Sequence, residues 1–209
     1  MRYYISDLHF YHEMLLRKAD HRQFENVEEM NEYIIKQWNN KVNKNEDVVV
    51  LGDLSFGNGI QTNEILNRLK GKIYLILGNH DHNFLKDKNF NNNRFGWIKN
   101  YAELNDNKRK VVLSHYPIFC YNGQYRFNED GTPKTYMLYG HVHHTTDYKL
   151  VQQFVEITRN TKTKSAHSDE PKNIACEMIN CFCMDSDYTP LTLDEWIEVQ
   201  KKREEVGLF

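Results

Sequence analysis

Long apolar runs are missing from this chain. Stretches such as Val48–Leu51 and Ile73–Leu77 fall far short of the roughly 20 residues that a membrane-spanning helix needs. A signal-like apolar core is missing too: Met1-Arg2-Tyr3-Tyr4-Ile5-Ser6-Asp7 meets charge before one can form, which predicts a protein that is not secreted. Cysteine is scarce, four in 209 residues with no CxxC pair, so a Cys-type structural zinc site has little support. Cys176, Cys181 and Cys183 fall in an expected strand over Asn173–Met184 and Cys120 stands alone; all four read as small buried hydrophobes. An excess of charge of one sign is also lacking. Lys and Arg number 27 against 29 Asp and Glu, a net −2, which gives no electrostatic case for broad nucleic-acid binding. No internal repeat is found. What the chain does have is aromatic weight: 13 Tyr, 11 Phe and 3 Trp are too many for a disordered polypeptide. At 209 residues it has the length for one α/β domain with a sizeable core. The expectation is a single cytoplasmic domain over residues 1–209.

Strand and helix signals alternate along it. Arg2–Ser6 predicts a first strand, and Asn26 with Glu29 a capped helix on which Val27, Met30, Tyr33, Ile34, Trp38 and Val42 recur at helical spacing. Asp47–Leu51 suits a buried strand, Ile60–Leu69 a helix that Gly71 ends, and Lys72–Leu77 the next buried strand. Lys110–Leu113 and Thr135–Tyr139 follow as strands, with a loop around Asn128–Pro133 between them. Thr192-Leu193-Asp194-Glu195 is a capping box that opens a last helix carrying Trp196 and Val199. Asn89–Arg94 and the polar stretch Arg159–Lys172 read as loops, the second as a mobile excursion. The alternation favours an α/β sheet over a bundle or a β-sandwich.

Chemistry gathers where strands end. Asp7-Leu8-His9 follows the first, Gly52-Asp53 the second, Gly78-Asn79-His80-Asp81 the third, Ser114-His115 the next and Gly140-His141-Val142-His143 the last. Open α/β sheets bind their ligands at the carboxyl ends of strands. Any one of these residues alone reads as turn chemistry, a helix cap or a core histidine; five strand ends of the same chemistry read as a site. Asp7, His9, Asp53, Asn79, His115, His141 and His143 offer carboxylate, amide and imidazole donors without a thiolate, a set suited to Mn²⁺, Fe²⁺, Ni²⁺ or Zn²⁺. Seven donors exceed one tetrahedral ion and match two ions that share a carboxylate. Two divalent ions with two aspartates keep a charge of about +2, which suits a phosphate ester. Gly52, Gly78 and Gly140 read as the tight turns that let backbone and ligands crowd together.

This ordered set, Asp7-x-His9, Gly52-Asp53, Gly78-Asn79-His80-Asp81, His115 and Gly140-His141-x-His143, resembles the calcineurin-like metallophosphoesterases. The Asp7-to-His12 opening and Tyr188-Thr189-Pro190-Leu191 before the last helix are similar to a compact bacterial and phage subgroup of predicted phosphoesterases. The resemblance implies an αββα sandwich, two mixed β-sheets packed face to face with helices outside. It implies one metal on Asp7, His9, Asp53 and His143 and a second on Asp53, Asn79, His115 and His141, with Mn²⁺ the first expectation. It implies a hydroxide between the metals that attacks phosphorus in line, His80 as general acid and Asp81 as the group orienting His80.

The chain departs from the wider superfamily at one point. Ser/Thr protein phosphatases carry an Arg shortly after the bridging Asp, and here Asp53 is followed by Leu54-Ser55-Phe56-Gly57. Substrate grip is therefore expected from His12, or from Arg126 and Tyr125 in the 117–134 loop. His82 and His144 read as rim residues, His21 and His167 as surface. The expected function is hydrolysis of a small phosphodiester or phosphomonoester, a nucleotide or other phosphorylated molecule. A metal-stabilised interaction scaffold and a nuclease are the alternatives, and no membrane partner is expected.

Overall fold

The computed structural model describes residues 1–18, 20–165 and 168–206; His167 lies outside them. Among the described residues ten strands are formed: β1 Arg2–Ile5, β2 Asp47–Val50, β3 Lys72–Ile76, β4 Phe95–Lys99, β5 Tyr101–Asp106, β6 Arg109–Ser114, β7 Thr135–Tyr139, β8 Lys162–Ser165, β9 Ser168–Asn173 and β10 Glu177–Asn180. The helices are α1 Met14–Arg17, α2 Val27–Lys41, α3 Gly59–Arg68, α4 His82–Leu85, α5 Thr146–Asn160 and α6 Leu193–Glu205.

Two four-stranded sheets carry the molecule, ordered β1-β2-β3-β4 and β10-β7-β6-β5. The first is parallel throughout. The second is mixed: β10, β7 and β6 run parallel and β5 pairs antiparallel to β6.

Side-chain alternation explains why the sheets stack. Tyr3, Ile5, Val48, Val50, Ile73 and Leu75 point to one face of the first sheet, where Met30, Ile34 and Trp38 of α2 and Ile65 and Leu66 of α3 cover them. Their neighbours Tyr4, Val49, Leu51 and Ile76 point the other way and meet Val111, Leu113, Tyr136, Leu138 and Ile179 of the second sheet. The far face of that sheet, with Val112, Met137, Tyr139 and Met178, packs under Tyr148, Val151 and Val155 of α5. A period of two thus builds four layers, helix–sheet–sheet–helix, with apolar contacts at all three seams. Leu193 and Trp196 of α6 join the middle seam, and the Trp196 indole donates to the Tyr4 carbonyl at 2.9 Å.

The expected caps form. Asn26 accepts from the Glu29 amide at 2.8 Å, and Thr192 with Glu195 closes a capping box. A second box, Asn58 with Gln61, opens α3.

Three expectations are corrected and one helix is added. Within 159–172 the described residues end α5 and form β8 and most of β9, which pair antiparallel. The strand expected over 173–184 shortens to β10, because the chain turns into a 3-10 helix at Cys183–Ser186. Cys120 is exposed, while Cys176, Cys181 and Cys183 are buried. Helix α5 was not anticipated, although Tyr148, Val151, Gln152 and Val155 carry helical spacing behind the Thr145 cap.

Candidate metal centre

All strands of the first sheet and three of the second run parallel, so their carboxyl ends lie along shared edges. Asp7 and His9 follow β1, Asp53 follows β2, Asn79 and His80 follow β3, His115 follows β6, and His141 and His143 follow β7. The fold brings these residues into one cluster.

On one side the Nε2 atoms of His9 and His143 lie 3.3 Å apart, and His143 Nε2 is 3.4 Å from Asp7 Oδ1. On the other, Asn79 Oδ1 lies 3.0 Å from both His115 Nε2 and His141 Nδ1. Asp53 Oδ2 stands between the two, 3.7 Å from His9 Nε2 and 3.6 Å from His115 Nε2. Asp7, His9 and His143 form one group able to hold an ion, and Asp7, Asp53 and His115 another.

Tautomers settle what faces the centre. His115 Nδ1 lies 2.8 Å from the Leu51 carbonyl, which only accepts, so Nδ1 carries the proton. Its bare Nε2 lone pair then points at Asn79 Oδ1 and Asp53 Oδ2, which are acceptors as well. His143 Nδ1 lies 2.7 Å from Asp20 Oδ1, so Nε2 is the ring atom that faces Asp7. The His115 Nε2 lone pair and the Asn79 and Asp53 oxygens repel one another in this buried place unless a cation sits among them. The donor set therefore fits divalent metal ions.

Protonation follows the same fields. Burial works against charge on His143, but the Asp20 and Asp7 carboxylates push it up to about 9. Asp7 is buried yet held well below the usual carboxylate range by His143, with His115 and His9 contributing. Burial drives His9 well below the usual imidazole range and lowers His141, to which His115 adds. Asp53 is raised, chiefly by burial.

The local backbone is unusual. Asp7, His9, Asp53, His141 and His143 all have left-handed φ, between 43° and 72°, a region that non-glycine residues occupy at a cost of about 1–3 kcal/mol each. Tight approach explains the glycines beside them. A Cβ on Gly78 would lie 2.2 Å from Asp53 Oδ1, and one on Gly140 2.5 Å from Asp7 Oδ2.

His80 lies at the rim, its side chain 40% exposed, with Nε2 4.0 Å from Asp53 Oδ2 and its amide donating to Asp53 Oδ1 at 2.9 Å. His12 is there too, stacked flat on Phe56 at 3.5 Å and 14°, while Phe56 lies 4.5 Å from the His80 ring. Burial, then His80, takes His12 down to about 4.

Two assignments are corrected. Asp81 does not orient His80. Its buried carboxylate accepts the amides of Gly78 (2.7 Å), Leu54 (2.8 Å) and Asp53 (3.0 Å), and no hydrogen bond to the His80 ring occurs among the described residues. Burial, opposed by the Gly78 amide and reinforced by Asp53, pushes Asp81 up to about 6. Arg126 is exposed, and its side chain makes no hydrogen bond or ion pair with the cluster among the described residues. Tyr125 is likewise exposed, and His144 is paired with Asp185 at 2.7 Å.

Three functional positions escaped the sequence reading. Asp20 holds His143, and the fully buried Arg22 holds Asp20 at 3.0 Å while donating to the carbonyls of Asp7 and Leu8 at 2.8 Å. Phe56 supplies the wall under His12. Asp20 and Arg22 sit in an irregular stretch after α1, at no spacing that a ligand motif would mark.

The model of the calcineurin-like phosphoesterase family matches residues 3–179, and the chain belongs to that family, which points to metal-dependent phosphate-ester chemistry in general. Uncharacterized protein MJ1445 of Methanocaldococcus jannaschii is 32% identical over 204 residues, covering 96% of this chain and 91% of its own. A crystal structure of a protein of unknown function from Aquifex aeolicus, AQ665, shares the fold with a TM-score of 0.60 at 23% identity, over 95% of this chain and 98% of its own. Among the described residues no helix is long and apolar enough to cross a membrane.

Proposed function

We propose that the protein hydrolyses small organic phosphate esters with two divalent cations, Mn²⁺ first among them and Fe²⁺, Zn²⁺ or Ni²⁺ as alternatives. The observation that carries this reading is Asp53 Oδ2, set between two donor groups at 3.6 and 3.7 Å, where a bridging carboxylate belongs. Asp7, His9, Asp53 and His143 would hold one ion, and Asp53, Asn79, His115 and His141 the other. Two such ions neutralise phosphoryl charge and make water nucleophilic near neutral pH.

The chain's own residues do the rest. His80 stands on the open side, where its imidazole can hand a proton to the departing alkoxide. Asp53 accepts the His80 amide and so fixes the backbone from which that ring projects. His12, braced on Phe56 beside His80, offers a ring nitrogen to a phosphoryl oxygen. The Leu54-Ser55-Phe56-Gly57 stretch directly after Asp53 holds no arginine. The reading therefore commits to small diesters or monoesters rather than phosphoproteins. A reducing cytoplasm suits the four free cysteines.

The test is hydrolysis of bis-p-nitrophenyl phosphate beside p-nitrophenyl phosphate, by protein stripped with EDTA and reloaded with Mn²⁺. Turnover that returns only on reloading is expected, and the preferred compound separates diesterase from monoesterase. Bound metal at two equivalents with no turnover on either compound would favour the scaffold reading.

A further inference from the structure

His141 belongs to a second feature besides the cluster. It forms one wall of a groove of about 340 Å³, completed by Tyr116, Pro117 and Phe119 from the loop after β6 and by Asp147 and Leu150 on the first turns of α5. That volume lies in the range of small-molecule sites. Its walls are braced. The Phe119 ring stacks on Phe154 at 4.2 Å and 13°, and the Tyr116 ring stands edge-on to His141 at 4.6 Å and to His115 at 5.1 Å. Tyr116, Phe119 and Leu150 are nevertheless each about half exposed, and large apolar side chains left open together mark a surface that something covers.

The chemistry of the lining restricts the occupant. Asp147 is the one charged side chain among the lining residues, and no Lys or Arg lines the groove. A second phosphate is therefore unwelcome there, whereas an uncharged flat ring can lie against Tyr116 and Phe119. Continuity with the cluster restricts it further. A phosphoryl group seated against His141 has this groove directly beside it.

Resting on the phosphoesterase reading, we propose that the groove takes the aromatic part of the substrate's ester, so that the substrates are phosphate esters bearing an uncharged, nucleobase-sized ring. Polyphosphate chains and purely aliphatic esters fit it poorly. Tyr116, Phe119 and Leu150 are then the residues that set specificity.

Phosphonates test this without turnover. Titration of the Mn²⁺-loaded protein by calorimetry with phenylphosphonate and with methylphosphonate compares two ligands of the same head group that differ by the ring. The wild type is expected to favour phenylphosphonate by about tenfold, and Leu150→Gln or Phe119→Ala to bring that ratio toward one. Leu150 is 54% exposed, so its replacement spares the core, and circular dichroism checks the fold of both variants. Equal affinities in the wild type, or a ratio that survives both substitutions, would overturn the groove assignment while leaving the phosphoesterase reading intact. Failure of both phosphonates to bind the metal-loaded protein would overturn the two together. A nucleoside 5′-methylenephosphonate as a third ligand separates the sources: a gain beyond phenylphosphonate marks a nucleobase, and a loss marks an aryl ester, the ring-bearing class standing in either case.

Discussion

At the scale of single residues, partners matter more than presence. Asp20 holds the proton on His143 Nδ1 and leaves Nε2 free to face a cation, the arrangement of a carboxylate behind a metal-binding imidazole. Replacing Asp20 by Ala is expected to weaken one of the two proposed ions by about 10- to 100-fold and spare the other. Titration against a chelating dye would read this as one weakened equivalent of two; two unchanged equivalents would show that Asp20 has no such role. Asp81 illustrates the converse. Its position beside His80 invites a catalytic role, yet its oxygens are occupied by three amides at the ends of β2 and β3. Asp81→Ala leaves those buried donors unpaired, at about 1–3 kcal/mol for each group left without water. A marked drop in unfolding midpoint is therefore expected, with the pH profile of any remaining turnover unmoved. A shift in the basic limb of that profile at unchanged stability would restore the orienting role.

At the scale of elements, the strands were legible where a period of two met a buried face. Val48 to Val50 and Ile73 to Leu75 declare themselves because one sheet face meets helices and the other meets a second sheet, both dry. Strands β4 and β5 were not legible, since each has a largely open face and depends on a partner strand remote in sequence. The candidate site was legible for a related reason: its donors follow buried strands directly, so the apolar runs point to them. Asp20 and Arg22 follow no strand and Phe56 lies further along the loop after β2, and only the folded chain shows their contacts. An ionic clasp on β5 was hidden in the same way. Glu103 accepts from Lys110 of β6 and from Tyr101 at 2.6 Å each, and from Asn122 in the following loop at 3.0 Å. Lys110, then Tyr101 and Asn122, hold Glu103 at about 2, below its ordinary 4.5. A depressed carboxylate stabilises the fold fully above the unfolded value, and that contribution fades as pH falls from 4.5 toward 2. Urea midpoints of the wild type and Glu103→Gln should therefore differ at pH 7 and converge as pH falls to about 2. A difference that persists at the lower pH would mean that packing, not charge, is responsible.

At the scale of the whole molecule, the donors come from both sheets, three strands of one and two of the other. Cations held there would tie the sandwich at its carboxyl edge and bind the folded chain alone, so stability should rise with free metal. At a concentration 100 times the dissociation constant the gain is about 2.7 kcal/mol per site, visible as a melting temperature that climbs with added Mn²⁺ and returns with EDTA. A midpoint that ignores metal would mean that the cluster binds none. The five left-handed backbones also govern which residues the loops accept. Asp, Asn and His are the non-glycine types that most readily adopt that conformation, and they are also oxygen and nitrogen ligands for divalent cations. One narrow vocabulary thus answers two demands, the shape of the loop and the grip on the ion. Alanine at Asp7 or Asp53 confounds them, because it removes a ligand and burdens the backbone at once. Exchanges within the vocabulary, such as Asp for Asn, keep the loop's shape while changing its charge.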